Sequence, residues 1–318
     1  MTTETKAPTS GVQLVEITEE NEGQRIDNFL LTRLKGVPKA LIYRILRKGE
    51  VRVNKGRIKA PYRLVVGDIV RVPPLRLPEE KVQSTIGAGL TKTLEQAIMF
   101  ENDQLLVINK PSGLAVHGGS GISLGMIEAL RQMRPDSKFL ELVHRLDRDT
   151  SGAVMVAKKR STLKALHEDL RQGRISKIYH ALVLGRWSKR LTKVDAPLKK
   201  NELKSGERVV RVDADGKASI TEFRLLESFE GCSLIEAKPV TGRTHQIRVH
   251  TLHAGHPIIG DPKYGDEYLN KQMKGQGVKR LFLHAAELRL RLPGISERLI
   301  IKAPIDPELK KAIVRLRG

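Results

Sequence analysis

Cysteine is all but missing from this 318-residue chain. Cys232 stands alone, so neither an intramolecular disulfide nor a zinc site of several thiolates can be built, which fits a reducing, cytoplasmic setting. Long apolar runs are missing as well. No stretch approaches the roughly 20 residues needed to span a bilayer. Met1 to Gly11 is rich in Thr, Ser and Pro without an apolar core, and reads as a short disordered leader, not a secretory signal. Acidic residues are outnumbered, 36 against 57 Lys+Arg, leaving a net charge of +21. Such an excess on a folded protein points first to a polyanion, with nucleic acid the leading candidate. A membrane surface competes for that charge, but the cations are spread along the chain instead of lining one amphipathic helix. With 40% apolar residues the chain is globular and long enough for two domains.

The stretch around which the rest is organised is Val143-His144-Arg145-Leu146-Asp147-Arg148-Asp149-Thr150-Ser151-Gly152. Apolar residues at Phe139-Leu140 and Leu142-Val143 lead into it and the apolar run Ala153–Ala157 leads out, so it reads as strand, polar loop, strand. A loop held between buried strands is a rigid place to present a reactive side chain. On this stretch alone, simple pairing of Asp147 and Asp149 with Arg145 and Arg148 explains the charges equally well.

From Gly23 to about Pro74 the chain is compact and self-contained. Ile26, Phe29, Leu30 and Leu34 recur at helical spacing, as do Leu41, Ile42, Ile45 and Leu46, with Arg44, Arg47 and Lys48 among them. Val51 and Val53 then alternate with Arg52 before the turn signal Asn54-Lys55-Gly56, and further short strands follow. This basic helix-plus-hairpin unit resembles the RNA-binding domain first described in a small-subunit ribosomal protein, the S-four type. That family often has Ser-Arg where this chain has Pro38-Lys39. The resemblance implies RNA contacts from Arg44, Arg47, Lys48, Lys55 and Arg57.

Pro73-Pro74, Pro78-Glu79-Glu80-Lys81 and Gly87-Ala88-Gly89 break any period, so a linker is expected over 75–92. The domain order is therefore 1–19 leader and first strand, 20–74 RNA-binding domain, 75–92 linker and 93–318 second domain. In the last, Leu105–Ile108 reads as a buried strand stopped by Asn109-Lys110-Pro111-Ser112-Gly113. His117-Gly118-Gly119 beside Lys110 is a weak phosphate-cradle signal and more simply a plain loop. Helices are expected from Ile122 to Arg134, after a Ser161 cap to Gly173, after Arg243 as far as Gly255 with Arg248 inside it, and near Asp306–Arg317. Strands are expected at Lys177–Leu184, Ala218–Leu226 and Cys232–Lys238, with 185–217 polar and turn-rich. The whole is α+β: a small N-terminal domain, then a mixed, mostly antiparallel sheet flanked by helices.

Three segments, the Asp147 loop, the Tyr179 strand and the turn-helix carrying Arg243 and Arg248, together resemble the RluA family of pseudouridine synthases. Its signature is present here as His144-Arg145-Leu146-Asp147-Arg148-Asp149-Thr150-Ser151-Gly152. Further family elements stand at Asn109–Leu114, Lys177-Ile178-Tyr179-His180-Ala181, Gly242–His250 and Gly260-Asp261-Pro262. The resemblance implies a pseudouridine synthase catalytic domain that isomerises specific uridines of large-subunit ribosomal RNA, acting as a monomer. The glycosidic bond is broken, the uracil turned and rejoined through carbon, after the base is flipped from its stack at a cost of a few kcal/mol.

The family motif makes Asp147 the nucleophile. A carboxylate can attack the sugar or the uracil ring, or remove a ribose proton, and the sequence does not separate these routes. A carboxylate in an enclosed pocket needs a cation beside it to stay charged, and the resemblance supplies Arg248. Tyr179 corresponds to the tyrosine that stacks on uracil, and Arg145 to the residue that enters the gap left by the flipped base. Arg243, Lys177 and His144 are carried over as substrate-binding residues. Asp149 falls at a variable position and is read as structural. His144, His245 and His250 form no zinc or iron pattern with the carboxylates, so no metal and no cofactor are expected. A non-catalytic RNA-binding or assembly factor would use the same charge, but gains nothing from a carboxylate set against RNA phosphates.

Overall fold

The structure, a computed structural model, describes residues 11–34, 37–75, 86–118, 124–202 and 208–318. Most of the leader, linker residues 76–85, Gly119 and the start of the helix expected from Ile122 lie outside the described residues. The chain divides into two compact units, Met1–Gln83 and Ser84–Gly318. Among the described residues no helix is long and apolar enough to cross a membrane.

In the first unit the apolar spacing produces two helices, Ile26–Arg33 and Lys39–Lys48, over a four-stranded antiparallel sheet ordered Gln13–Glu16, Ile69–Val72, Arg52–Val53, Gly56–Arg57. Ile26, Leu30, Ile42, Ile45, Val53 and Val70 form its core. The period that turns Ile42, Ile45 and Leu46 inward leaves Arg44, Arg47 and Lys48 in water. Gly49, at φ +72°, closes the second helix. Asn54 and Lys55 have φ of 48° and 67°, the pair of left-handed residues that a two-residue type I′ hairpin demands, so Lys55 sits at an exposed tip.

The second unit is built on a ten-stranded sheet. Its path runs Lys193–Asp195, Ile220–Phe229, Cys232–Pro239, Ser176–Leu184, Leu283–Leu290, Ser151–Ala157, Leu105–Lys110, Ile98–Glu101. Neighbours are antiparallel except at one seam, where Leu283–Leu290 runs parallel to Ser151–Ala157 through His284 opposite Ser151 and Ala285 opposite Gly152. Beyond that contact the two strands part, and the short strand Glu141–Leu142 pairs with Val156 and Ala157 instead. The Asp147 loop therefore emerges from a split in the sheet. Gly152, at φ +111°, is what allows the seam to close: a Cβ there would lie 2.3 Å from the Ala285 carbonyl oxygen.

Several elements depart from the sequence reading. Ala88–Gln96 is helical, beginning within the stretch read as linker and running past its end: exposed Gly89 weakens it by about 1 kcal/mol, but Leu94 is fully buried and anchors it. The helix expected from Ile122 is described over Met126–Met133. Ser161 is not a cap; the helix runs Arg160–Arg171 with Lys159 at the cap position. The turn-rich segment 185–217 contains the strand Lys193–Asp195 and a hairpin of Leu198–Glu202 with Arg208–Val212, held because Leu198 and Val210 pack on Val249. Helix Glu267–Gly275 is not among the expected helices; it fully buries no residue, and its apolar side is only the pair Leu269 and Met273, too short a period to stand out from the turns around it.

Candidate active site

Asp147 sits in a cavity of about 770 Å³, within the range of small-molecule sites. Its walls include Tyr179 and Arg248, and also Arg145, Arg243, Lys177 and His144, so the catalytic and substrate-binding candidates read from sequence converge on one place. Arg44, Arg47, Lys48, Lys55 and Arg57 belong to the other unit, all exposed.

The loop is braced from below. Lys110 is fully buried, and its ammonium donates to the carbonyl oxygens of Pro111, Leu114 and Arg148 at 2.8, 2.8 and 2.9 Å. Burial lowers the pKa of this amine. The Asp149 and Asp147 charges oppose that, and only the ammonium carries three protons to satisfy all three carbonyls. Ser112 Oγ donates to Asp149 O at 2.7 Å and the Gly113 amide to Arg148 O at 2.9 Å. Asn109–Gly113 is thus a clamp on the backbone of residues 148–149, and Lys110 has no proton left for a phosphate. Asp149 itself pairs with exposed Arg148 at 3.2 Å.

Arg248 lies buried on helix Gln246–His253 between two carboxylates. Its Nε and one terminal nitrogen fork onto Asp261 at 2.7 Å each. The other terminal nitrogen reaches Asp147 Oδ2 at 3.3 Å. Asp261 is fully enclosed and also accepts the amides of Lys263 and Tyr264 at 2.9 and 3.0 Å. Burial raises the pKa of that carboxyl, but Arg248 and the amides outweigh it and hold it below the usual range. The Tyr264 ring lies 5.0 Å from the guanidinium carbon. A bidentate charged pair fixes direction as well as distance, so Arg248 is aimed by Asp261, independently of Asp147. Asp147 Oδ1 has no protein partner among the described residues.

The turn before that helix is rigid for a separate reason. The Gln246 amide oxygen accepts from Thr241 Oγ1 at 2.7 Å and from the Arg243 amide at 3.0 Å, while its nitrogen donates to Ile220 O at 2.9 Å. Arg243 is exposed at the cavity and touches Ala218 O at 3.3 Å. His250 is spent on Thr221 Oγ1 and Ala196 O, at 2.8 and 3.0 Å.

Tyr179 presents a buried ring on the strand Ser176–Leu184. Burial, then the nearby Asp147 charge, push its phenol well above the usual range, so it stays neutral. Lys177, on the same strand, is lowered by burial and has no hydrogen-bond partner among the described residues. His144 is placed differently from a free substrate ligand: its Nε2 accepts the Met155 amide at 3.2 Å, a ladder donor left over where the sheet splits. Its Nδ1 is buried and unpartnered among the described residues, and burial, with Lys177, brings its pKa down to about 3.

Sequence reasoning left Lys110, Asp261, His245 and Tyr264 without a part in the site. Their signals were a charged residue inside an apolar strand end and an Asp-Pro-x-Tyr turn, neither of which shows what it faces.

A family model of RNA pseudouridylate synthase matches residues 104–253, and one of the S4 domain matches residues 24–70. The chain is 59% identical to a Pasteurella multocida protein named ribosomal large subunit pseudouridine synthase C, over 98% of this chain and 96% of that one. A protein of the same name from Escherichia coli is 55% identical, over 98% and 99%. Among solved structures, the human RNA pseudouridylate synthase domain containing 4 aligns with a TM-score of 0.59 at 27% identity, covering 72% of this chain and 96% of that one.

Proposed function

From the premise that this chain belongs to the RNA pseudouridylate synthases, we propose that it converts specific uridines of large-subunit ribosomal RNA to pseudouridine, with Asp147 as the reacting carboxylate. The observation that carries this reading is the Asp261–Arg248–Asp147 arrangement on a cavity ringed by cations. The reaction breaks the bond from uracil N1 to ribose C1′, forms one from C5 to C1′, releases the C5 proton and returns a proton to N1. It needs no oxidant and no outside group. Asp147 attacks ribose, attacks the ring, or removes a ribose proton; all three routes need one free carboxylate oxygen, and Oδ1 has no partner among the described residues.

The remaining residues divide by what they touch. Tyr179, neutral and buried, gives uracil a face to stack on and is not a base. Lys177, half-buried and without a hydrogen-bond partner among the described residues, takes a uracil or phosphate oxygen. Arg145 fills the gap left by the flipped base and Arg243 holds the RNA backbone at the rim. His144 shapes the wall through its hold on Met155. Phosphate contacts from Arg44, Arg47, Lys48, Lys55 and Arg57 supply binding energy far from the reacting base, which offsets unstacking. The scheme uses one chain acting as a monomer in the cytoplasm, with no metal and no cofactor.

Tritium release from large-subunit ribosomal RNA labelled at uracil C5 tests the reading. Release is expected from RNA lacking pseudouridine and not from RNA already modified. Tight binding without release, on free RNA and on precursor particles alike, would instead make the protein an assembly factor. A second test concerns the N-terminal unit. Replacing Arg44, Arg47 and Lys48 together with Gln should weaken RNA binding evenly across sequences. It should also flatten the plot of log K against log salt by about 0.7–0.9 for each phosphate that the variant no longer neutralises. An unchanged slope would remove these residues from the RNA interface.

A further inference from the structure

One side chain beside Asp147 has no part in that scheme. His245 occupies the cap position of helix Gln246–His253 at φ +53°, a left-handed conformation that costs a non-glycine residue about 1 kcal/mol or more unless its surroundings demand it. What surrounds it is specific. Its Nε2 lies 3.7 Å from Asp147 Oδ2, and its Nδ1 lies 2.7 Å from the Tyr264 hydroxyl. The first distance is an electrostatic contact beyond hydrogen-bond range; the second is a hydrogen bond.

The direction of the second bond follows from a third. The Val210 amide reaches the same Tyr264 oxygen at 2.9 Å, and an amide nitrogen can only donate. The phenol oxygen is therefore the acceptor there, and its own proton is left to go to His245 Nδ1. Burial raises the Tyr264 pKa, so that proton stays on the phenol. For His245, burial first, then Arg248 and Lys263, lower the pKa against the opposing pull of Asp147 and Asp261. A ring protonated on Nδ1 would put two N–H groups on one phenol oxygen and leave the phenol proton without an acceptor among the described residues. The neutral ring thus carries its single proton on Nε2, the nitrogen that faces Asp147.

We propose that His245 is a positioning residue for the reacting carboxylate, with Tyr264 fixing the tautomer that directs Nε2–H at Asp147 Oδ2. When uridine excludes water from the cavity the contact shortens to a hydrogen bond, as catalytic contacts do on complex formation. Oδ2 is then held by Arg248 and His245 together, and Oδ1 is the oxygen left to react. This rests on Asp147 being the reacting group.

The test begins with a readout that does not depend on turnover. Long-range proton–nitrogen spectra of the full-length protein, labelled at histidine and free of RNA, should show His245 with Nε2 protonated and Nδ1 as an unprotonated acceptor; its signals are identified by their loss in His245→Gln. In Tyr264→Phe the population should move towards the Nδ1–H form. A His245 protonated on Nδ1 in the unaltered protein would overturn the proposal. So would a tautomer indifferent to Tyr264.

Kinetics supply the second arm. His245→Ala should lower kcat for tritium release about 10- to 100-fold, the loss expected of a hydrogen bond to a charged group, with KM for RNA unchanged. His245→Gln, whose side-chain N–H sits near the place of Nε2–H, should recover most of it. Equal losses in both variants, with both folded by thermal melt, would overturn the positioning role. A KM rise at constant kcat would do the same. Full activity of Asp147→Asn would instead remove the reading of Asp147 while leaving the tautomer result standing, so the two failures are distinguishable.

Discussion

Asp147→Asn is expected to lose isomerisation by on the order of 10⁴-fold or more, as removal of a nucleophilic group does in other enzymes, while binding unmodified ribosomal RNA as the parent protein does. The substitution is isosteric, and the site around it is built to survive. Arg248 takes its aim from the two 2.7 Å bonds to Asp261, so losing the Asp147 charge does not release it. Asp147 is partly exposed and meets Arg248 through one bond of 3.3 Å, so the variant gives up a single long hydrogen bond and leaves a neutral Asp261–Arg248 pair behind. Thermal unfolding should therefore be nearly unchanged. Tritium release and filter binding on the same preparation check both halves. Equal loss of rate and affinity in a folded variant would mean that Asp147 serves RNA binding, not the chemistry.

Arg248 in the parent protein is one cation shared by two carboxylates, and geometry decides the shares. Asp261, fully enclosed and receiving two further amide protons, has the bidentate face; Asp147, with more exposure, takes one of the three N–H groups that are left. An Arg held this way cannot follow Asp147 if the carboxylate swings away, which restricts the reacting group to the orientations that the guanidinium permits. Lys at 248 would carry the same charge without the fork, and could satisfy one carboxylate or the other but not hold a fixed angle between them.

What could be read from sequence follows the range of the interactions involved. The helix Lys39–Lys48 is legible because its apolar period is local, and the type I′ turn at Asn54-Lys55 because its residues carry the unusual φ themselves. Asp147, Tyr179 and Arg248 are legible through motifs, and they do share one cavity. Helix Ala88–Gln96 is not, because its only fully buried residue is Leu94, and two glycines argue locally against it. The hairpin of Leu198–Glu202 and Arg208–Val212 is hidden for a related reason: its anchor is Val249 on a helix far along the chain. Most opaque are charged residues whose partners are backbone groups. Lys110 offers in sequence only a weak phosphate-cradle signal on a plain loop, and His144 a substrate-binding imidazole by resemblance, since a list of side chains does not contain carbonyl oxygens or the split in the sheet that leaves the Met155 amide open.

Lys110→Met turns that difference into the second large effect. Methionine matches the length and most of the volume of the lysine stem, so the apolar part of the site should repack at small cost. Two terms then oppose each other. Removing a fully buried ammonium relieves its desolvation, a gain that makes many buried ion pairs replaceable by apolar side chains. Here, however, the partners are backbone carbonyls and cannot be replaced along with it. Arg148 O keeps the Gly113 amide, whereas Pro111 O and Leu114 O have no other donor among the described residues. At about 1–3 kcal/mol for each orphaned buried acceptor, the loss should exceed the relief and leave a net destabilisation of roughly 2–4 kcal/mol. For a unit of this size that is a fall in melting temperature on the order of 5–15 °C. The catalytic consequence is larger than the thermal one, because the Arg148 carbonyl lies one residue from Asp147: with its ammonium gone, among the described residues the backbone of 148–149 is held from this side by Gly113 and Ser112 alone. Below the new melting temperature, kcat should fall about tenfold or more while RNA affinity holds, since misplacement of a reacting group by as little as 1 Å costs about that much or more. Differential scanning calorimetry and single-turnover tritium release measure the two effects separately. A variant with both parameters unchanged would show that water can take the place of the ammonium among those carbonyls, and that the Asp147 loop keeps its shape without the clamp.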